Sequence, residues 1–163
     1  MGNPVPTYSI HLDTLLAITA EDLKKEDFDP WPVLTDTGGA IFPILVQKKI
    51  RSSVTVFVTG NEKEKLSVKL GPLGSRSDTE LLRQIDRYSC KCFVIRASAL
   101  NRQFLGDGDK TKKSFKVRVI ADGPGELKKG AVVSARAFFA ELSREANNPK
   151  YVMPDRPGMK AKP

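Results

Sequence analysis

A glycine-rich loop at residues 106–111, with the sequence Gly-Asp-Gly-Asp-Lys-Thr, comes nearest in this chain to a known binding motif. A phosphate-binding P-loop needs a glycine directly before its Lys-Thr pair, and Asp109 occupies that position, where its carboxylate would repel a phosphate. A calcium-binding EF-hand needs more acidic ligands and a closing glutamate, which this segment does not provide. The loop therefore predicts neither a nucleotide site nor a calcium site.

The other reactive side chains do not form a catalytic or metal-binding set. His11 is the only histidine, and Cys90 and Cys92 are the only cysteines, too few for a four-ligand zinc site or a hydrolytic triad. On a strand the two cysteines would point to one face and lie too close in sequence for an unstrained bridge, so we expect buried, reduced thiols. We predict no catalytic residue, no metal and no cofactor, and hence a protein that is not an enzyme.

Basic and aromatic residues between positions 104 and 129 favour a different chemistry, the binding of nucleic acid. Proteins that bind single strands combine a cationic groove with aromatic rings, on which each stacked base contributes about 1–3 kcal/mol. Phe104 and Phe115 are the candidate stacking rings, although Phe115 alternates with Val117 and Val119 and fits the core equally well. The candidate phosphate contacts, which could also be an ordinary solvated face, are Lys110, Lys112, Lys113, Lys116, Arg118, Lys128 and Lys129.

The charge of the chain is divided unevenly along the sequence. The formal net charge is +8, yet residues 1–46 hold seven acidic and two basic residues, a net of −5. The remaining residues hold 25 basic and 12 acidic side chains, a net of +13. This asymmetry favours a polyanion-binding body with an acidic segment that contacts a protein partner, although a protein with a merely basic surface would show the same balance.

The elements that must position these residues are predicted to be mostly strands. Valines at every second position predict a β-hairpin over Ser53–Leu70. Cys90–Leu100 is apolar on both faces, as expected of a central strand, and Ser114–Ala121 alternates as a strand with one apolar and one cationic face. The polar segment Asn101–Lys113 between these two strands is predicted to be a loop.

Two helices are predicted in the second half of the chain. Ser77 and Glu80 have the spacing of a capping box, which predicts a helix over Asp78–Tyr88. Ala131–Ala140 alternates as a strand but also fits a helix, and we predict a strand that passes into a short helix near Ser143–Asn147.

The first third of the chain has less regular patterns. Trp31 lies between two prolines, and we predict that it covers the edge of the core rather than binding a base. The other predictions for this region are a strand or helix at Tyr8–Thr19, a turn of helix at Glu21–Asp29 and a turn at Thr35–Gly39.

Several segments between residues 69 and about 139 together resemble the bacterial and phage single-stranded DNA-binding proteins of the OB-fold type. The order and spacing of the segments carry the resemblance, which rests on Leu70-Gly71-Pro72-Leu73-Gly74, Glu80-Leu81-Leu82-Arg83, Phe93–Leu100, Gln103-Phe104, Lys112-Lys113-Ser114-Phe115 and Leu127-Lys128-Lys129-Gly130. The resemblance implies an OB-like barrel, and it implies that Phe104 and Phe115 lie on the face that binds single strands.

These patterns predict a mainly β fold with one or two short helices, an OB-like β-barrel or a β-sandwich. Residues 1–50 are predicted to be an acidic segment that packs on or extends the core, and residues 51–147 the core domain. Residues 148–163 contain four prolines and four basic residues and are predicted to be a disordered tail.

We predict a non-catalytic protein that binds single-stranded nucleic acid, with homo-oligomers as a further possibility. The alternative is a small basic viral structural protein, matrix or capsid-associated, that binds nucleocapsid and an anionic membrane surface and self-assembles. The sequence contains no run of about 18 apolar residues and no secretory signal, so we expect a cytoplasmic protein, virion-associated under the alternative.

Overall fold

The computed structural model describes residues 3–60, 63, 65–88 and 90–152, and it contains an eight-stranded sheet with helices packed on both sides. The strands are β1 (Val5–Ser9), β2 (Thr35–Val46), β3 (Lys49–Thr59), β4 (Ser67–Leu73), β5 (Cys92–Ala97), β6 (Arg102–Asp107), β7 (Lys116–Val119) and β8 (Val132–Ser134). The helices are α1 (Leu12–Ala17), α2 (Ala20–Lys24), α3 (Arg76–Asp86) and α4 (Ala135–Ala146), with short 3-10 turns at Trp31–Val33 and Ser98–Leu100.

The strand order is β4-β3-β2-β1-β5-β6-β7-β8, and all neighbours are antiparallel except β1 and β5. Two antiparallel meanders, β2-β3-β4 and β5-β6-β7-β8, are therefore joined by the parallel pairing of β1 with β5. The prediction of a mainly β fold is confirmed, with four α-helices where one or two were expected. The sheet is open, because within the described residues β4 and β8 form its two edges rather than closing a barrel.

Alternation along the strands gives the sheet two faces with separate cores. The first, which we call the α4 face, carries Phe93, Ile95 and Phe104 and is covered by α1 and α4, including Phe138. The second, the α3 face, carries a smaller cluster that packs under α3, namely Val5, Ile41, Val94 and Leu105 against Leu81 and Leu82. α3 and α4 are amphipathic helices, and the apolar side of each is buried against strands.

Within the described residues, one part of the sheet has no layer over it on the side of the α4 face. Ile41 faces α3, so its neighbours Ala40 and Phe42 point to the opposite side, together with the residues paired to them on β3 and β4. We call this surface the bare apolar face, and it consists of Ala40, Phe42, Ile44, Val54, Val56, Val58, Val68, Leu70 and Leu73. Its most exposed members, Val68, Leu70 and Leu73, are 65–74% exposed.

Several predicted elements are confirmed with changed ends. The hairpin Ser53–Leu70 is present as β3 and β4, with Val58 paired to Val68. The helix Asp78–Tyr88 is present as α3, but its cap is Ser75 rather than Ser77, because the Ser75 hydroxyl accepts from the Asp78 amide at 3.3 Å.

Two other predicted segments are assigned differently by the structure. The predicted loop Asn101–Lys113 contains β6, since Phe104 and Leu105 pair with strands on both sides. The predicted turn Thr35–Gly39 opens β2, where it pairs with β1 and β3.

The last helix begins earlier than predicted. α4 starts at Ala135, because the Ser134 hydroxyl accepts from the Ala137 amide at 3.2 Å and caps the first turn. The helical spacing of Phe138 and Leu142, which the sequence left as an alternative to strand, places both side chains in the core with 0% exposure.

The N-terminal segment contributes to the middle of the sheet. β1 lies between β2 and β5, and the boundary predicted at residue 50 falls within β3. Of the predicted tail at 148–163, residues 153–163 lie outside the described part of the chain.

The structure joins Cys90 and Cys92 in a disulfide, against the prediction of reduced thiols. The prediction placed both residues on one strand, but β5 begins only at Cys92 and Cys90 lies in the bend before it. The bend brings the two Cα atoms to 5.1 Å, within the range that a disulfide spans.

Candidate nucleic-acid interface

Phe104 and Phe115, the predicted stacking rings, are both buried in the core. Phe104 is 0% exposed, and its ring lies between the Phe138 ring at 4.8 Å and the Arg102 guanidinium at 4.8 Å. Phe115 is 4% exposed and contacts Trp31 and Phe139. Neither ring has a face open to a base. Phe115 is therefore a core residue, which the sequence left as an alternative, and Phe104 is a core residue as well. The stacking predicted from the resemblance does not fit this structure.

The predicted basic residues separate into two groups. Lys128 and Lys129 lie in the connection between β7 and β8, at the C-terminal end of β7. The Lys128 ammonium donates to the Gly123 carbonyl at 3.1 Å, and the Lys129 amide donates to the Asp122 carboxylate at 2.8 Å. The second group, near the N-terminal end of β7, contains Lys110, Lys112, Lys113, Lys116 and Arg118.

The connection between β6 and β7 is held against the N-terminal part of the chain. The indole Nε1 of Trp31 donates to the Lys112 carbonyl at 2.8 Å, and the Trp31 ring packs on Phe93 and Phe115 at 5.1 and 4.9 Å. Trp31 therefore covers the edge of the core, as predicted. The Lys110 ammonium lies 5.1 Å from the centre of the Tyr8 ring and 3.9 Å from the Asp36 carboxylate, so Lys110 belongs to the side of the acidic segment.

Lys116 and Arg118 point to the α3 face, beside the end of α3. Their pairing with Asp107 and Leu105 fixes this orientation, because Leu105 packs against α3. Tyr88 follows the last turn of α3, and its ring lies 4.2 Å from the Arg118 guanidinium. A cavity of about 230 Å³ is lined by Tyr88, Lys116 and Arg118, with Leu105 and Val132 as apolar neighbours. We call this the Tyr88 cleft.

The Tyr88 cleft continues into a second depression around the start of β7. This shallow depression, of about 670 Å³, shares Asp107 and Lys116 with the cleft and adds Lys91 and Lys112. The two depressions thus form one strip that contains Lys91, Lys112, Lys116 and Arg118 against Asp107 and Asp109.

One acidic residue of the strip is already neutralised by a neighbouring lysine. The Lys91 ammonium donates to the Asp109 carboxylate at 2.8 Å, which holds the pKa of Asp109 well below its usual range and raises the pKa of Lys91. Because the pair is exposed, it remains charged and screened by salt at neutral pH. The strip therefore keeps a net positive charge from the other basic groups.

Tyr88 is, with Lys91, a residue of the strip that the sequence did not reveal. Its position at helical spacing after Leu81 and Ile85 made it part of the apolar side of the predicted helix. In the structure the side chain is 38% exposed, because α3 ends at Asp86 and Tyr88 lies past its last turn. The only sequence signal is an aromatic residue at the end of a helix in a basic chain, which does not reveal that Arg118 faces it.

The other buried charges of the described chain serve the fold. Arg102 pairs with Glu145 and donates to the Leu127 carbonyl at 3.0 Å, which ties β6 to α4. Arg96 donates to Asp78 at 2.9 Å and ties β5 to α3. A cavity of about 450 Å³ beside Arg96 is lined by Ser77 and Gln103 and lies farther along the α3 face from the Tyr88 cleft.

No helix of the described residues is long and apolar enough to cross a membrane, and those residues hold no group of three or more potential metal ligands. In comparisons with known proteins, no family model, no curated protein and no solved structure matches the chain. The resemblance to single-stranded DNA-binding proteins accordingly stays a prediction.

Proposed function

We propose that this protein binds single-stranded nucleic acid, without catalysis, along the strip that joins the Tyr88 cleft to Lys91 and Lys112. The observation that carries the proposal is the contact of Tyr88 with Arg118 beside Lys116. An exposed aromatic ring next to guanidinium and ammonium groups is the combination that single-strand binding requires, a stacking surface with phosphate contacts. Tyr88 takes over the stacking role that the sequence assigned to Phe104 and Phe115.

The distribution of charge supports this side of the molecule as the binding side. The acidic helices α1 and α2 pack on α4, where the Ser143 hydroxyl donates to the Leu15 carbonyl at 3.0 Å. Arg136 of α4 donates to the carbonyls of Leu23 and Glu26. The acidic segment therefore lies over the α4 face and leaves the Tyr88 cleft, on the α3 face, free to meet a polyanion. In this proposal its exposed carboxylates remain available to a protein partner.

The first test is the binding of short single-stranded and duplex oligonucleotides, measured by fluorescence anisotropy across a salt series. Tyr88→Ala should weaken single-strand binding by about 1–3 kcal/mol, whereas Tyr88→Phe keeps the ring and should bind like the wild type. Arg118→Gln should weaken binding and reduce the slope of log K against log salt by about 0.7, the value for one phosphate contact on a single strand.

Lys129→Gln is the matched control, since it removes one positive charge at the other end of β7. A loss in Lys129→Gln as large as that in Arg118→Gln would show that binding follows total charge rather than the strip. Equal affinity for duplex and single strand, unchanged in Tyr88→Ala, would contradict the proposal.

A self-assembling viral structural protein remains the second candidate, and the bare apolar face is the observation that favours it. Such a protein would need both an interface between copies and a basic surface, and the chain has a candidate for each. Co-sedimentation with vesicles that contain anionic lipid distinguishes the two candidates. The viral structural protein should bind such vesicles strongly, and replacing Lys112 and Lys116 should abolish that binding. The cytoplasmic location stays a prediction, and the disulfide weighs against it, since disulfides are rare in the cytosol.

A further inference from the structure

The bare apolar face is made by the pairing register of three strands. Phe42 pairs with Val54 and Val54 with Leu73, while Ala40 pairs with Val56 and Val56 with Leu70. Paired residues on neighbouring strands point to the same side, so these side chains form continuous rows across β2, β3 and β4. The nine positions named are all apolar, while Ser52, which pairs with Ile44, and Lys49, which pairs with Val46, lie at one end of the same side.

The two sides of these strands differ sharply in burial. On the α3 face, Ile41, Ser53 and Thr55 are at most 1% exposed. On the bare apolar face, Phe42 is 36% exposed, Val58 is 46% exposed and Leu73 is 74% exposed. No helix of the described residues packs against this side, although the apolar side chains there would normally be covered.

The size of the face matches one half of a small specific interface. Nine apolar side chains with this exposure present on the order of 500 Å², at the upper end of the largest apolar patch found on ordinary monomers. Two such faces in contact would bury on the order of 1,000 Å², the lower limit for a specific interface. Sheets pack face to face at about 10 Å, so the side chains of both faces could interdigitate.

We propose that the occupant of the bare apolar face is a second copy of this chain, packed sheet against sheet about a two-fold axis. Both the charge of the chain and the apolar character of the face favour this occupant. The chain carries a net charge of +8, so two copies repel each other over most of their surface, whereas the nine apolar residues of this face bring no charged side chain against a partner. A two-fold interface uses the same patch on both copies, and an uncharged apolar face is complementary to itself.

This dimer has a consequence for the proposed binding strip but does not depend on it. The bare apolar face and the Tyr88 cleft lie on opposite sides of the sheet. The dimer would therefore leave both Tyr88 clefts exposed on its outer surfaces.

The test is the mass of the full chain in solution, measured by sedimentation equilibrium over a range of concentrations. The wild type should reach twice the 18.0 kDa mass of the chain. Leu70→Lys places a charge among the apolar side chains of the face on both copies and should weaken the dimer at least about a hundredfold, a loss of about 2.8 kcal/mol at 1.4 kcal/mol for each tenfold change. Ser67→Lys adds the same charge to β4 on the opposite side and should leave the dimer unchanged.

Both positions are exposed, so both variants should fold, and circular dichroism with thermal unfolding checks that they do. Val58→Lys repeats the test on β3, independently of the edge strand. A wild type that stays monomeric at every concentration overturns the proposal. A dimer that survives both Leu70→Lys and Val58→Lys also overturns it, because the interface then lies elsewhere.

Discussion

The two meanders of the sheet share one pattern of alternating side chains but differ in what covers them. On the β5-β6-β7 meander, the residues on the α4 face lie under α1 and α4, and Phe104 and Val117 are 0% exposed. On the β2-β3-β4 meander, the equivalent side is the bare apolar face, where Leu70 is 70% exposed. The same strand pattern therefore builds a core in one meander and an exposed surface in the other.

This difference separates the residues that hold the fold from those available for binding. The covered meander contains the rings that the sequence assigned to nucleic acid, and it buries them. Among the described residues, the bare apolar face and the Tyr88 cleft are left open, on opposite sides of the sheet. A charged or aromatic residue in this chain can therefore be interpreted only once its layer is known.

The largest contrast is expected between Phe104→Ala and Leu70→Ala. Phe104→Ala should lower the free energy of unfolding by about 3–5 kcal/mol, because it leaves a cavity under α4. Leu70→Ala should change it by no more than about 0.5 kcal/mol in the monomer, since the side chain is already in contact with water. Urea unfolding followed by Trp31 fluorescence at low protein concentration measures both. Similar losses would mean that the two meanders are covered alike on this side of the sheet.

The second contrast is between buried and exposed ion pairs. Arg102→Ala should cost about 3 kcal/mol, because it leaves the Glu145 carboxylate buried without its partner. Lys25→Ala removes an exposed pair with Asp22, whose nitrogen and oxygen atoms lie 3.4 Å apart, and should cost less than about 1 kcal/mol. Thermal unfolding of the two variants compares them directly. A small loss of stability in Arg102→Ala would show that the ion pair between β6 and α4 contributes little to the fold.

A smaller effect tests how α3, the layer over the other side of the sheet, begins. Ser75→Ala should lower stability by about 1 kcal/mol, because the Asp78 amide loses its acceptor. Ser77→Ala should be close to neutral, although the sequence predicted Ser77 as the cap. Urea unfolding of the two single variants compares their losses of stability. A larger loss in Ser77→Ala would identify Ser77 as the cap, as the sequence predicted.

The pH dependence of stability tests the burial of Glu145. Burial raises the pKa of Glu145 above its ordinary value, against the opposing pull of the Arg102 guanidinium. The folded state therefore holds this proton to higher pH than the unfolded state does, so its contribution is full below the ordinary glutamate pKa of about 4.3 and is lost as pH rises through the raised value. Urea unfolding across this range should show the decline in the wild type and in Glu126→Gln, an exposed control. In Glu145→Gln the decline should be absent, and a decline that persists there would assign it to another group.

Local patterns predicted the parts of the fold that local interactions decide. The alternating valines of β3 and the helix that became α3 could both be recognised, since each depends on residues close in sequence. The sequence did not reveal that β1 would pair in parallel with β5, because Tyr8 and Ile95 are far apart along the chain. β6 was missed because its apolar core, Phe104-Leu105, is short and flanked by polar residues.

The candidate site was harder to predict than the fold, for a physical reason. Lys116 and Arg118 were recognised as cations, but whether they form a binding site depends on which residues lie beside them on the α3 face. Tyr88 comes into contact with Arg118 only because α3 ends where it does and packs on β5 and β6. Phe104 and Phe115 were misplaced because aromatic residues in strands look the same from the sequence whichever layer covers them.

The two proposals place single-strand binding and dimerisation on separate exposed surfaces. Both properties can be recorded in the same samples: anisotropy with a short single-stranded oligonucleotide and sedimentation equilibrium, for the wild type, Arg118→Gln and Leu70→Lys. We expect Arg118→Gln to lose affinity for the oligonucleotide but still form dimers, and Leu70→Lys to be monomeric and to bind with unchanged affinity. If either substitution abolishes both properties while the protein remains folded, the two surfaces are not separate.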